Sequence, residues 1–231
     1  MSKTNNMNMK TLDVTFDLEA CSLQPTAAVM SVGAVAWDRT AQDVPFNLPL
    51  APGVQTEFYQ HVDLRSAFLD GFTFDQSTAN WWAQQNDEAK EALLENDIIP
   101  LQPLKEVVKN LFDMIVELAK VLGVKEVYLW AQGTDYDVAI LRNIAYKYNI
   151  PIPIKHTNYR DHRTFYLEGA RMICDVAKVN FDTHSAYKLV DEYSGNGCRH
   201  NPIFDCKRSI YSTWQMMKHL QCLKMQKSND A

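Results

Sequence analysis

A chain of 231 residues, 46% hydrophobic and 22% charged, can bury a real core in one large domain or two small ones. No apolar run approaches the ~20 residues that a membrane-spanning helix needs, so no membrane partner is expected. The net charge of −5 speaks against a uniformly basic nucleic-acid binder, but residues 1–99 hold 5 basic and 14 acidic side chains and residues 100–231 hold 18 and 14. An acidic half that gathers cations beside a basic half that meets phosphates would have this distribution, and so would two ordinary surfaces.

In chain order, Met1–Lys10 is polar and Asn-rich, lacks the apolar core of a signal peptide, and reads as a frayed tail. From Leu12 the residues alternate. Leu12, Val14, Phe16 and Leu18 fall on one side, Asp13, Thr15, Asp17 and Glu19 on the other, which is the period of a strand with one buried face. Asp17 and Glu19 then point the same way, roughly 6–7 Å apart. Carboxylates so close repel each other, and a divalent cation is one remedy. A solvated strand face is the other reading. Val29–Trp37 is apolar throughout and reads as a strand buried on both faces. Residues 38–55 hold three prolines and a glycine and form a loop, and Thr56–Val62 is a third strand of an antiparallel meander.

Two short helices follow. Ser77 or Thr78 caps the first, which carries Trp81 and Trp82, and Asp87 begins the second over Glu88–Glu95. Adjacent tryptophans point about 100° apart, so both rarely reach the same core; the readings are that both pack, or that one packs and the other stacks on a base, with Trp82 the candidate substrate contact. Leu104, Val107, Val108, Leu111, Ile115, Leu118 and Leu122 mark a long amphipathic helix that Gly123 stops. Glu126–Trp130 is a fourth strand, leading through Asp135 and Asp137 into a helix that ends near Tyr148. Asp137 shares a stripe with Leu141, Ile144 and Tyr148, so it should face inward, where a carboxylate needs a partner or a metal. Asp135 reads as a mere cap. Residues 154–162 hold a short extended piece, and helices are expected over Thr164–Cys174 and, capped by Thr183, over His184–Tyr193. Asn201-Pro202 starts a last helix running to about Leu220, with a loose tail from Lys224. His200 precedes it and Asp205 lies in its second turn, so both converge on one point if the helix start faces the site.

Five scattered cysteines favour reduced thiols and a cytoplasmic setting. Cys198, His200 and Cys206 cluster but fit no common zinc-knuckle spacing. There are no repeats and no second domain; residues 11–222 are expected to form one domain, with flexible tails at 1–10 and 223–231.

Taken together, Asp17-x-Glu19 on the first strand, Tyr136-Asp137 opening a helix after a later strand, and His200-x4-Asp205 at the last helix resemble the DnaQ-like, or DEDD, superfamily of 3'–5' exonucleases, in its histidine branch (DEDDh). Phe16-Asp17-Leu18-Glu19, Thr78-x-x-Trp81-Trp82-x-x-Gln85-x-x-Glu88-Ala89 and Arg160-Asp161-x-Arg163-Thr164 are similar to the phage exonuclease A group and the related bacterial exoribonucleases. Ala20 stands where many relatives carry Thr, and Gly133 and Thr134 stand where many carry Asn. The resemblance implies a ribonuclease H-like α/β fold: a mixed sheet with antiparallel N-terminal strands flanked by helices. It implies two Mg²⁺ or Mn²⁺ ions held by Asp17, Glu19, Asp137 and Asp205, with His200 as general base. Leu18, Ala20, Trp82, Arg160 and Arg163 are the implied substrate contacts. The implied partner is single-stranded DNA or RNA with a free 3' end; DNA against RNA, and monomer against homodimer, stay open. The competing readings are a non-catalytic nucleic-acid-binding module on the same fold, which would lack some of the acidic positions, and an RNase H or integrase-type endonuclease, which would lack the His-x4-Asp ending.

Overall fold

A computed structural model of the chain describes residues 11–48, 50, 53–91 and 100–229. Strand β1 (Thr11–Ala20) is the centre of a five-stranded sheet in the order β3-β2-β1-β4-β5. The antiparallel meander expected from the early strands is present: β2 (Val29–Trp37) pairs antiparallel with β1, and β3 (Glu57–His61) pairs antiparallel with β2. On the other side β4 (Glu126–Ala131) and then β5 (Tyr159–Asp161) run parallel to β1 and β4 respectively. The sheet is therefore mixed, as the family resemblance implied. The first ten residues, expected to be a tail, lie outside the described residues.

Both faces of the sheet are covered. Leu12, Val14, Phe16 and Leu18 face the main core with α4 (Leu104–Leu122) and α5 (Ala139–Lys147). Helix α4 buries eight apolar side chains from Leu104 to Leu118, each worth roughly 1.5–3 kcal/mol against exposure, so packing rather than propensity holds it. Gly123 ends it in the left-handed conformation, φ 66°. The opposite face of β1 is not solvated at its start. Asp13 and Thr15 are buried there beside a second core of Val35, Trp37, Trp130, Cys206, Ile210 and Trp214. That core is closed by α8 (Pro202–Asn229), with α6 (His162–Ala177) packed against it. Alternation reports which residues share a face, but a polar face can still be buried if its groups find partners.

Several local expectations shift. A short helix α1 (Leu64–Leu69) follows β3, with the Asp63 side chain accepting from the Arg65 N–H; it buries only Ala67, too little to show as a pattern. Helix α2 (Gln76–Ala83) is capped by Asp75, not by Ser77 or Thr78: Asp75 Oδ1 accepts from the Thr78 N–H at 2.7 Å and the Ser77 hydroxyl at 2.6 Å. Helix α3 is described over Asp87–Glu91, and the expected continuation to Glu95 lies outside the described residues. Helix α6 starts two residues early because Asp161 caps it through the Thr164 N–H. Helix α7 is a single turn, Thr183–Ala186. Beyond it the Gln215 amide takes both the N–H and the C=O of Asp191. Helix α8 runs past Leu220 to Asn229, through Lys, Met and Gln with neither Gly nor Pro to stop it. Among the described residues no helix is long and apolar enough to cross a membrane. All five cysteines are free thiols, and the Cys206 thiol points at the carbonyls of Thr15 and Gly33 rather than toward Cys198.

Candidate active site

The site lies past the carboxyl ends of the parallel strands. Strand β4 stops pairing with β1 at Thr15–Trp130, so Asp17 and Glu19 project beyond the neighbour strand. The β1–β2 register shifts between Glu19 and Ala20, where a bulge in β2 at Met30 bends the end of the pair. Glu19 is 8% exposed and Leu18 is buried beneath. Freed from β1, the chain after Ala131 turns back across the gap as a π-helical segment, Thr134–Val138. Asp161 anchors its start, accepting from the Thr134 N–H at 2.9 Å. The π turn places Asp137 inward at 3% exposure, beside the Leu18 backbone. Asp135 stays exposed but does not cap the segment: Gly133 is the N-cap, and no side chain caps it.

The third wall is the start of α8. Asn201 Oδ1 accepts from the N–H groups of Ile203 and Phe204 at 3.0 and 3.2 Å, the cap anticipated from Asn-Pro. Pro202 rests directly on Gly33 of β2, where a Cβ would stand 2.6 Å from the proline Cβ. Glycine is required there for helix and sheet to meet this closely. Just before the helix His200 takes a left-handed backbone, φ 68°, and its N–H donates to Asp205 Oδ2 at 2.7 Å. The strained residue is thus tied to the helix it precedes. His200 Nδ1 stands 4.0 Å from Glu19 Oε1, and the candidate ligand atoms of Glu19, His200 and Asp205 lie within 4.8 Å of one another.

Asp17, Glu19, Asp137, His200 and Asp205 border one cavity of about 610 Å³. Burial first, then Asp137, Glu19 and Asp205, hold the Asp17 carboxyl well above the usual range, opposed only by Arg208. Burial, with Asp205 and Asp137, pushes Glu19 up to about 9. Burial raises Asp137 to about 7 against the Leu18 N–H and Arg163. Each carboxylate is short of positive charge. Asp205 Oδ1 is buried without a hydrogen bond, its nearest cation being Arg208 Nη2 at 3.3 Å. A divalent cation fits this set: oxygen ligands converge from three elements, Asp205 Oδ1 has no hydrogen-bond partner, and Asp17 and Glu19 are raised by burial and by their carboxylate neighbours. Burial lowers His200 below its usual value, helped by Arg208 and Arg199 and opposed by Asp205. Its ring is therefore a neutral base at neutral pH.

Trp81 and Trp82 flank His200 edge-on, at 5.0 and 5.6 Å between ring centroids. Trp81 is 44% exposed. Trp82 is half-buried and donates its indole N–H to the Ala20 carbonyl at 3.3 Å, bracing the end of β1. Leu18 and Arg163 border the cavity. Arg160 does not: its guanidinium is taken by the carbonyls of Thr157 and Tyr159 and lies over the Tyr128 ring of β4. Sequence reasoning missed Arg199, Arg208, Gln132 and Ser209, which border the cavity, with Ser209 donating to Gln132 Oε1 at 3.0 Å. For Arg208 a signal existed, since it follows Asp205 by three residues and so shares its side of the helix. For Gln132 and Ser209 none did.

A family model described as the 3'–5' exoribonuclease Rv2179c-like domain matches residues 13–210. No curated protein matches the chain. Among solved structures the chain is similar to cell-death related nuclease 4 (CRN-4), with 12% identity and a TM-score of 0.53 over 90% of this chain and 64% of that one. It is also similar to the nuclease domain of 3'hExo, a DEDDh family member bound to rAMP, with 14% identity and a TM-score of 0.52 over 90% of this chain and 92% of that one. The chain thus spans a little under two thirds of the length of CRN-4. At such identities these likenesses establish a shared ribonuclease H-like fold.

Proposed function

The chain belongs to the family of Rv2179c-like 3'–5' exoribonuclease domains, and from that membership and the site geometry we propose that it releases 5'-nucleotides from the free 3' end of single-stranded RNA or DNA with the help of divalent cations. The observation that carries this is the convergence of Asp17, Glu19, Asp137 and Asp205 from three elements on one cavity, with Asp17 and Glu19 raised by burial and by the neighbouring carboxylates. Exonuclease activity follows from the family; the ions and the substrate are the proposal. The catalytic unit is residues 11–222, and the five free thiols fit a cytoplasmic setting.

Mg²⁺ or Mn²⁺, two ions in this reading, would supply the positive charge that the scissile phosphate and the leaving 3' oxygen need. Asp17, Glu19, Asp137 and Asp205 would hold them. His200, kept neutral by burial, accepts the proton of the attacking water. Its fixed backbone and the flanking indoles restrict where the ring can go. Leu18 and the Ala20 backbone form the floor under the terminal nucleoside, and Arg163 meets phosphate. Trp81, the exposed member of the pair, offers its face to the terminal base, while Trp82 holds β1 in place. Trp81→Ala should then raise KM on oligonucleotides with its melting temperature kept, and Trp82→Ala should lower the melting temperature; the reverse pattern would exchange the two roles.

The test is digestion of matched 5'-labelled single-stranded RNA and DNA with Mg²⁺, Mn²⁺ or EDTA, beside a 3'-blocked copy. Stepwise shortening from the 3' end with mononucleotide product is expected, RNA being the first substrate suggested by the family. Cleavage of the blocked copy at internal sites would point to an endonuclease, and full activity in EDTA would remove the metal from the account.

A further inference from the structure

A second cavity, also of about 610 Å³, adjoins the acidic one. Gln132, Arg163, Arg199, Arg208 and Ser209 border both, so the two are continuous and the three arginines mark their boundary. Its far wall is built from the segment between α7 and α8. There Tyr187, 49% exposed, lies flat on the buried Tyr166, with ring centroids 5.5 Å apart and planes inclined by 10°. The Tyr166 hydroxyl donates to the Ala186 carbonyl at 2.7 Å, so the lower ring is fixed and the upper one rests on it. An exposed ring supported from beneath is a stacking face that accepts any base. The segment is held in place by Gln215, which clamps Asp191, and by the packing of Tyr193 on Phe204 and Phe46. Asp191 and Glu192 also border the cavity, so its charge is mixed away from the arginines.

We propose that this second cavity seats the nucleotide on the 5' side of the scissile bond, with Tyr187 stacking its base and Arg199 and Arg163 facing the phosphates that join it to the chain. The inference rests on reading the first cavity as the place of cleavage. The occupant follows from continuity and charge: a strand whose terminal phosphodiester lies among the four carboxylates must leave past the shared arginines, and those two are exposed there. A pocket of this volume is in the size range that encloses a small organic ligand, and it places an aromatic face beyond a cationic threshold.

Two substrates separate this subsite from the catalytic one. The p-nitrophenyl ester of thymidine 5'-monophosphate fills only the terminal position, because nitrophenol stands where the upstream chain would be. A single-stranded octanucleotide fills both. Tyr187→Ala should raise KM on the octanucleotide roughly ten-fold, the worth of one stacked base, and leave hydrolysis of the ester within two-fold of wild type. Tyr187→Phe should restore the octanucleotide KM, and Arg199→Gln should raise it with an increased effect at low salt. An unchanged octanucleotide KM in Tyr187→Ala, or equal losses on both substrates, would overturn the proposal. If the wild-type protein cleaved neither substrate, the catalytic reading would fail by itself. Fluorescence anisotropy with a labelled octanucleotide would then decide the subsite: weaker binding by Tyr187→Ala supports it, equal binding overturns it.

Discussion

Asp13 and Asp17 lie four residues apart on the same face of β1, yet their surroundings differ completely. Asp13, 1% exposed, has its charge answered: Arg39 Nε donates to it at 2.7 Å, a second Arg39 nitrogen pairs with its other oxygen, and the Trp130 indole donates at 2.7 Å. Between them the buried His162 is satisfied on both nitrogens, by Thr15 at 2.9 Å and Thr213 at 2.7 Å. At Asp17 the chain gathers three further carboxylates and provides one opposing arginine. A buried carboxylate that the protein has neutralised is part of the architecture. One it has left in deficit is waiting for a cation from outside. The same strand does both, because its first half is paired with β4 and covered by α8 while its second half runs past the end of β4.

The contrast can be broken at either end. The largest effect is expected from Asp17→Ala or Asp205→Ala, which should reduce hydrolysis to the assay background. In EDTA Asp17→Ala should melt no lower than the wild type, since a buried carboxyl crowded by three others has been removed, whereas Asp205→Ala also loses the bond to the His200 N–H; wild-type turnover in either variant would refute the site. His200→Ala should cost on the order of 10²–10⁴ in kcat. The acid limb of the pH–rate profile, expected below the ordinary imidazole range, should flatten in that variant. Unchanged Mn²⁺ affinity would keep His200 as a base, and lost affinity would make it a ligand. Asp13→Ala should do the opposite of Asp17→Ala. It strands a largely buried guanidinium, so unfolding measured in urea should show a loss of about 2–3 kcal/mol, with kcat near wild type.

The smallest and most specific effect is in the pH dependence of stability. His162 titrates near 3 in the folded protein against an ordinary 6.5, because burial disfavours the charged ring. The unfolded chain therefore binds a proton that the folded one refuses, and stability present above about 6.5 is lost as pH falls toward 3. The acidic cluster has the reverse sign. Glu19 at about 9 and Asp137 at about 7 hold protons that the unfolded chain releases near 4. That contribution is complete below about 4 and is lost as pH rises through 7 and 9 in the metal-free protein. Thermal melts across this range should show an alkaline decline that saturating Mn²⁺ abolishes and an acid decline that it leaves alone.

How much of this could be read from the sequence varies with the physics involved. The central strand, the long helix and the capped start of α8 were legible because each is set by local periodicity or a local cap: Leu12 to Leu18, Leu104 to Leu122, Asn201-Pro202. So was the inward turn of Asp137, although a π turn rather than an α turn delivers it. The long-range pairings were not legible. Nothing near Asp13 in the sequence announces Trp130, and nothing near Trp82 announces that its indole binds the Ala20 carbonyl while Trp81 faces outward. Arg160 and Arg163 belong to one sequence motif, yet the first lies in β5 with its guanidinium over the Tyr128 ring and the second lies in the first turn of α6, and only Arg163 borders the cavity. The clamp of Gln215 on Asp191, 24 residues upstream, was not legible either, since no local propensity can register it.

The central claim, that charge deficit at the end of β1 makes a divalent-cation site, is tested most directly by calorimetric titration of Mn²⁺ into the wild type, Asp17→Ala and Asp13→Ala. Saturable, EDTA-reversible binding by the wild type and by Asp13→Ala, and its loss in Asp17→Ala, is the predicted result. Absence of binding to the wild type, or equal binding by Asp17→Ala, would contradict it.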